Sequence, residues 1–312
     1  MTPLWDDLDL ATDRLVATAL AEDVGPGDWT TLWTVPEDAV ARAIVVAKQP
    51  LVVSGIEVVR RVFAAVDPAL DVSVLLPDGA SAGVGDVVLE VGGSARSILI
   101  AERTALNFLG RLSGIATLTG AFAARVSGTA ARVIDTRKTT PGLRLLEKAA
   151  VVHGGGANHR IGLHDMVLIK DNHIAAAGGI TAAVAGVRDQ NSTELPVELE
   201  VTSLDQVREA LDLGVERLLL DNMDPATLRQ AVAIARAAGV GPSPELEASG
   251  NVTLDTIRAI AETGVDYISV GALTHSAPSA DLSLRVIEGA TTPVRPGEGD
   301  GNPERGASAG DG

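Results

Sequence analysis

The stretch from Asp135 to Ile174, DTRKTTPGLRLLEKAAVVHGGGANHRIGLHDMVLIKDNHI, concentrates the groups that could do chemistry. It holds three of the chain's four lysines, four of its five histidines and a run of three glycines, in a protein with 41 acidic against 25 basic residues. Cations and backbone amides gathered this densely in an acidic chain suit a pocket for a polyanionic ligand. Lys138 and Lys170 are compact point charges fitted to phosphate oxygens or to a Schiff base, whereas the planar fork of arginine fits carboxylates bidentately. Lys148, next to Glu147 on a predicted helix, is expected at the surface. In the loop HGGGANHR, the glycines 154 to 156 are expected to turn backbone amides inward around an anion, with His159 and Arg160 adding side-chain donors. The histidines are spaced by six, five and nine residues, which matches no zinc pattern.

These groups need a scaffold. From Arg132 onward short apolar segments alternate with helical ones, the pattern of parallel β/α units. The predicted strands are ARVIDTRK, DMVLIKDN, PVELEVT, RLLLDN, PELEAS and DYISVGA. Each is apolar in its first half and then presents chemistry: Arg137 and Lys138, Lys170 and Asp171, Glu198 and Glu200, Asp221 and Asn222, Glu247 and Ser249, and Gly271. In α/β barrels the C-terminal strand ends carry the active site, because βα loops and helix N-termini converge there. The intervening helices are punctuated by a Ser203/Gln206 capping box, an Asp224–Pro225 start, an expected stop at Gly239, and Thr253 and Gly264 around the last. Parallel strands in this sequence favour a closed or nearly closed α/β barrel.

Ahead of the barrel, Leu8 to Ala21 has helical spacing and Gly25, Pro26 and Gly27 break it. Ala39 to Val53 reads as strands interrupted at Pro50, Ile56 to Val66 as a helix, and DVSVLL and VVLEV as further strands, together an α+β domain over 1–112. A long helix follows from Ser97 to about Val126, with Arg103 and Asn107 on one face. From the residues alone Arg103 reads as a surface arginine. The barrel domain is assigned to 113–274, with 275–290 packing back on the first domain. The final segment, 291–312, is rich in Gly and Pro and is expected to be disordered.

Composition excludes several classes. A chain of 312 residues, 46% apolar, can bury a large core. Without cysteine there is no disulfide, thiolate metal site or cysteine nucleophile. The net charge of -16 argues against nucleic acid as partner. The acidic N-terminus and the lack of an apolar run near 20 residues argue against a signal peptide or membrane span, so a cytoplasmic protein is expected.

DTRKTTPG, GGGANHRIGLHDMVLIKDNH, VELEVTS, LLLDNM, LEASGN and VDYISVGALTHS together resemble the quinolinate phosphoribosyltransferase family, over most of the chain to about residue 288. The resemblance implies an N-terminal α/β sandwich domain joined to an incomplete, open α/β barrel, working as a dimer or an assembly of dimers. It implies phosphoribosyl transfer from phosphoribosyl pyrophosphate to quinolinate with loss of CO2, giving nicotinate mononucleotide for NAD biosynthesis.

Carried onto this chain, Arg137, His159 and Arg160 resemble the family's clamp for the quinolinate carboxylates. Arg103 resembles its helix arginine that enters the neighbouring subunit's site. Lys138 and Lys170 would hold carboxylates and pyrophosphate, and Glu200 and Asp221 the ribose hydroxyls, directly or through Mg²⁺. Ser249, Gly250, Asn251 and Gly271 would receive the 5′-phosphate. The expected chemistry is a dissociative displacement at the anomeric carbon, with Glu200 and Asp221 stabilising the charged sugar. Two alternatives remain from the sequence: a Schiff-base aldolase or lyase using Lys138 or Lys170, and the molybdenum-associated paralogue of the same fold.

Overall fold

The computed structural model describes residues 4–237 and 243–291. The expected helix stop at Gly239 and the tail from 292 lie outside the described residues.

The chain begins with α1 (Leu4–Val24) and α2 (Trp29–Thr34), the latter capped by Asp28, which accepts the N–H of Thr31 at 3.0 Å. Next come β1 (Val40–Ala47), β2 (Leu51–Val52), α3 (Ile56–Val66), β3 (Asp71–Val74), β4 (Ser81–Ala82) and β5 (Val87–Ser94). In β1 the residues Ala41, Ala43 and Val45 alternate inward, as the period-2 pattern requires. In α3, Ile56, Val59, Val62 and Phe63 form the buried stripe. The start of α3 is capped from a distance: Asp78 Oδ1 accepts the N–H groups of Gly55 at 2.7 Å and Ile56 at 3.0 Å.

Helix α4 (Ala95–Val126) runs 32 residues without a break, so the division expected at 112/113 falls inside it. Its buried face touches the first sheet through β1 and β5, and also the first barrel strand. Small residues let the chain cross it: a Cβ on Gly114 would lie 2.0 Å from the Pro278 carbonyl oxygen, so only glycine admits that segment.

The second half alternates β6 (Arg132–Ile134), α5 (Arg144–His153), β7 (Val167–Ile169), α6 (Asp171–Ala177), α7 (Ile180–Gln190), β8 (Val197–Val201), α8 (Leu204–Asp212), β9 (Arg217–Asp221), α9 (Pro225–Ala237), β10 (Glu245–Ser249), α10 (Ile257–Ala261), β11 (Tyr267–Ser269) and α11 (Ala272–His275). The last strand, β12 (Leu282–Thr291), returns to the first sheet, whose order is β12-β1-β5-β3, and pairs antiparallel with β1.

The six parallel strands are ordered β6-β11-β10-β9-β8-β7. The described strands β6 and β7 are its two edges, so the barrel is open; β6 gains only an isolated bridge from Ile134 to Ala157. Leu199, Leu218, Leu220 and Leu246 are fully buried. Each such burial contributes about 2 kcal/mol, which offsets the cost of an unusually polar inner face. No helix among the described residues is long and apolar enough to cross a membrane.

Candidate active site

At the end of β6, Asp135 is fully buried and collects three donors: Lys148 Nζ, Asn158 Nδ2 at 2.6 Å and the His159 N–H at 2.9 Å. Lys148 Nζ also donates to the His159 carbonyl at 2.9 Å. Lys148 is 1% exposed, which corrects the expectation of a surface role. Burial works against both charges, raising the Asp135 carboxyl and lowering the Lys148 ammonium from their ordinary values. Three good hydrogen bonds to one carboxylate are the compensation a buried ion pair needs. The compact ammonium thus ties α5 and the 157–160 segment to the strand that presents Arg137. The adjacent Glu147, also fully buried, binds Arg111 Nη2 at 2.8 Å and the Thr140 N–H at 3.0 Å.

The glycine run has a packing function, not the expected anion-binding one. The N–H groups of Gly154, Gly155 and Gly156 go to the carbonyls of Ala150, Val152 and Val151, ending α5. A Cβ on Gly154 would sit 2.3 Å from the Ala116 carbonyl oxygen, so these residues let α5 press against α4.

Beneath the site lies a buried polar quartet. His159 Nε2 is 2.9 Å from Glu198 Oε2 and 3.4 Å from Glu247 Oε2. Arg217 reaches the same two carboxylates, Nε at 3.1 Å from Glu198 Oε1 and Nη2 at 2.5 Å from Glu247 Oε2, with its guanidinium 4.2 Å from the Tyr267 ring centroid. His159 Nδ1 accepts the N–H of Arg160 at 2.7 Å. A nitrogen that accepts cannot carry a proton, so the imidazole is the neutral Nε2–H form, and burial likewise lowers its basicity. Both ring nitrogens are therefore committed within the protein, and His159 orients Arg160 where a direct cationic contact to a ligand was expected. Burial raises Glu198. Burial and then the Glu198 charge push Glu247 up to about 7. His159, Glu198 and Glu247 are the one trio of metal-ligating type among the described residues. Arg217 already supplies its cation, so it is a charge network and not a metal centre.

Above the quartet opens a cavity of about 910 Å³ at the C-terminal strand ends. It brings together Arg137, Lys138, Lys170, Glu200, Asp221, Ser249, Gly250, Asn251 and Gly271, drawn from all six parallel strands or the loops after them, with His159 and Arg160 from the loop between α5 and β7. Arg160, 7% exposed, donates Nη1 to the Met166 carbonyl at 3.0 Å. Lys170 Nζ stands 3.4 Å from Glu200 Oε2. Glu200, Leu219 and Glu247 are level with one another across β8, β9 and β10, and Asp221 is level with Ser249. Arg103 does not join them: it is exposed on α4, and it does not line the cavity of its own chain.

One rim of the cavity is set by backbone conformation. Asn222 and Asn251 have φ of 54° and 49°, and Gly250 between strand and turn has φ of 104°. A Cβ on Gly250 would fall 2.2 Å from Asn222 Oδ1. Glycine is required there twice, for its left-handed backbone and for the approach of the Asn222 amide. At Gly271 the constraint is a close contact alone, with Lys138 Cδ and His275 Nε2 each 3.2 Å from a built Cβ.

Comparison with known proteins decides the family. The family model described as quinolinate phosphoribosyl transferase, N-terminal domain, matches residues 28–113, and that described as the C-terminal domain matches 115–285. The chain belongs to the quinolinate phosphoribosyltransferase family. A relative from Oryza sativa subsp. japonica, the chloroplastic carboxylating nicotinate-nucleotide pyrophosphorylase, is 45% identical over 87% of this chain and 76% of its own. A probable enzyme of that name from Synechocystis is 44% identical over 86% of this chain and 90% of its own. The solved nicotinate-nucleotide pyrophosphorylase of Francisella tularensis superposes with a TM-score of 0.84 at 40% identity, covering 88% of this chain and 96% of that one.

Within this family member, sequence reasoning missed the Asp135–Lys148–Asn158 anchor, Arg217 and the cavity-lining His275. A signal existed for the quartet. Glu198 and Glu200 are two apart, as are Glu247 and Ser249, so each pair shares the inward face of its strand. His275 is a single histidine in a short helix and carries no comparable pattern.

Proposed function

We infer that this chain is a decarboxylating pentosyltransferase that moves a phosphoribosyl group from phosphoribosyl pyrophosphate to quinolinate, yielding nicotinate mononucleotide, pyrophosphate and CO2 for NAD biosynthesis. Membership of the family across both of its domains carries this conclusion.

The cavity supplies a rationale for each part. Quinolinate is a dianion, and Arg137, Lys138, Arg160 and Lys170 are the cations that would hold it. Arg137 Nε and Arg160 Nε are buried donors without a partner among the described residues, and acceptor carboxylates would satisfy them. The ring nitrogen then attacks the anomeric carbon as the bond to pyrophosphate breaks. Glu200 and Asp221 stabilise the positive charge that develops on the sugar, and Lys138 and Lys170 balance the departing oxygens. Ser249, the Gly250–Asn251 turn and Gly271 receive the 5′-phosphate. The new bond leaves the ring nitrogen positively charged. It accepts electron density as the adjacent carboxylate leaves as CO2, and the ring carbon takes up a proton.

Glu200 and Asp221 offer hard carboxylate oxygens to the cavity, a donor set that fits Mg²⁺. When bound there, the ion would neutralise pyrophosphate charge. Arg103, exposed on α4, is proposed to complete the site of a second copy, making the protein a dimer or an assembly of dimers. The cytoplasm is the proposed compartment, in keeping with a cysteine-free composition. A Schiff-base lyase would need a desolvated lysine, whereas the Lys170 side chain is 46% exposed.

The test is formation of pyrophosphate and nicotinate mononucleotide from quinolinate, with nicotinate as the control acceptor. Turnover of nicotinate but not quinolinate would overturn the assignment.

A further inference from the structure

The quartet beneath the cavity does not balance its own charge. Arg217 brings one positive charge and Glu198 and Glu247 two negative ones, while His159 is held neutral by the Arg160 N–H on its Nδ1. Glu198 keeps one hydrogen-bond donor, His159 Nε2–H at 2.9 Å, with Arg217 Nε an ion-pair neighbour at 3.1 Å, and its Oε1 is buried without a hydrogen-bond partner. Glu247 likewise keeps one, Arg217 Nη2 at 2.5 Å. Its Oε1 is buried without a hydrogen-bond partner, and the whole residue is inaccessible to solvent. The groups that face it are Arg217 from β9, Glu198 from β8, His159 from the loop after α5, and Ser269 from β11, with Tyr267 stacked behind Arg217.

Glu247 is also part of the cavity wall, level with Glu200 across Leu219. The surplus negative charge of the Glu198–Glu247 pair is balanced from above by Arg160 and Lys170, whose charges act on Glu198, only while those cations are not engaged by an anion. An acceptor carrying two carboxylates takes them over. The negative charge on Glu247 is then left in a low-dielectric site beside the new anion, where it is costly. We propose that Glu247 is the proton-coupled positioning residue of the acceptor site: it takes one proton from solvent when the dicarboxylate binds, so that the wall beneath the acceptor is neutral. The balance is simple, since one O–H bond forms on the Glu247 carboxyl, the medium supplies the proton, and product release returns it. The ordinary value of this carboxyl is already displaced upward to about 7, which brings the linkage into the working range of pH.

The inference rests on quinolinate as the acceptor, and the experiment separates the two. Quinolinate is titrated calorimetrically into the full-length protein between pH 7 and pH 9 (about the range the linkage covers) in two buffers of different ionisation enthalpy. Expected is uptake approaching one proton per site above neutrality, with the apparent Kd rising toward a limit of about tenfold per pH unit. Glu247→Gln, which mimics the protonated carboxyl, abolishes the uptake and flattens the pH dependence of Kd. Ser269→Ala removes the neighbouring hydroxyl and moves the uptake to higher pH, which keeps the proposal testable should the Gln variant not fold. Binding without proton uptake in the wild type, or equal uptake in Glu247→Gln, overturns the proposal. Failure of quinolinate to bind overturns the substrate assignment with it.

Discussion

Arg160 donates its backbone N–H to His159 Nδ1 at 2.7 Å, and that single bond decides the protonation of a buried imidazole next to the cation-lined cavity. His159 is therefore predicted to remain the neutral Nε2–H tautomer into its ordinary titration range, because burial depresses its basicity. Nitrogen-15 NMR of the ring will show an unprotonated Nδ1 from pH 6 to 9, about the range in which a free histidine changes charge. The sign follows from the depressed value: this residue lowers stability only as pH falls below the ordinary histidine range. His159→Ala leaves Glu198 without its donor and costs about 1–3 kcal/mol in unfolding free energy.

Lys148 and Asp135 form the buried pair that fixes the strand end carrying Arg137. Lys148→Ala leaves a buried carboxylate uncompensated and is expected to cost about 3–5 kcal/mol by urea unfolding. Asp135→Asn combined with Lys148→Met will recover much of that loss. A Lys148→Ala variant as stable as the wild type would place this lysine back at the surface.

Gly250→Ala should fail for both steric and conformational reasons. At φ of 104°, with Asn222 Oδ1 2.2 Å from the new methyl, the turn must open. Strain of about 1–3 kcal/mol is expected there. The kinetic signature is a raised KM for phosphoribosyl pyrophosphate with the KM for quinolinate little changed.

Glu247 also predicts how stability responds to pH. Burial pushes its carboxyl up to about 7 in the folded chain from the ordinary value of 4.5 that it regains on unfolding, so the folded state binds the proton more tightly. The contribution is complete below the unfolded value and is lost as pH rises through the folded one. That difference amounts to roughly 3 kcal/mol. Thermal unfolding of Glu247→Gln will show a smaller decline in Tm between these two values than the wild type.

The strand ends were legible because parallel β/α units write their chemistry into a fixed place. Lys138, Lys170, Glu200, Asp221 and Ser249 all follow or end a short apolar run, and the barrel brings them to one cavity. Lys148 was not legible. Helical spacing beside Glu147 fits a solvated face as well as a buried one, and the partner that decides, Asp135, is 13 residues away in a different element. The glycine run misled for a similar reason. Its small size serves the approach of α5 to α4, a contact that local pattern does not encode. His159 shows a third limit, since its neutral state depends on one backbone N–H and on Glu198 across the barrel.

The central claim is that the cation-lined cavity grips the acceptor carboxylates through Arg137, and steady-state kinetics of Arg137→Ala test it most directly. Loss of its charge-assisted bonds should raise the KM for quinolinate by at least about 100-fold, to the point of abolishing its use, while the KM for phosphoribosyl pyrophosphate stays near the wild-type value. Wild-type turnover and KM for quinolinate in that variant would contradict the account.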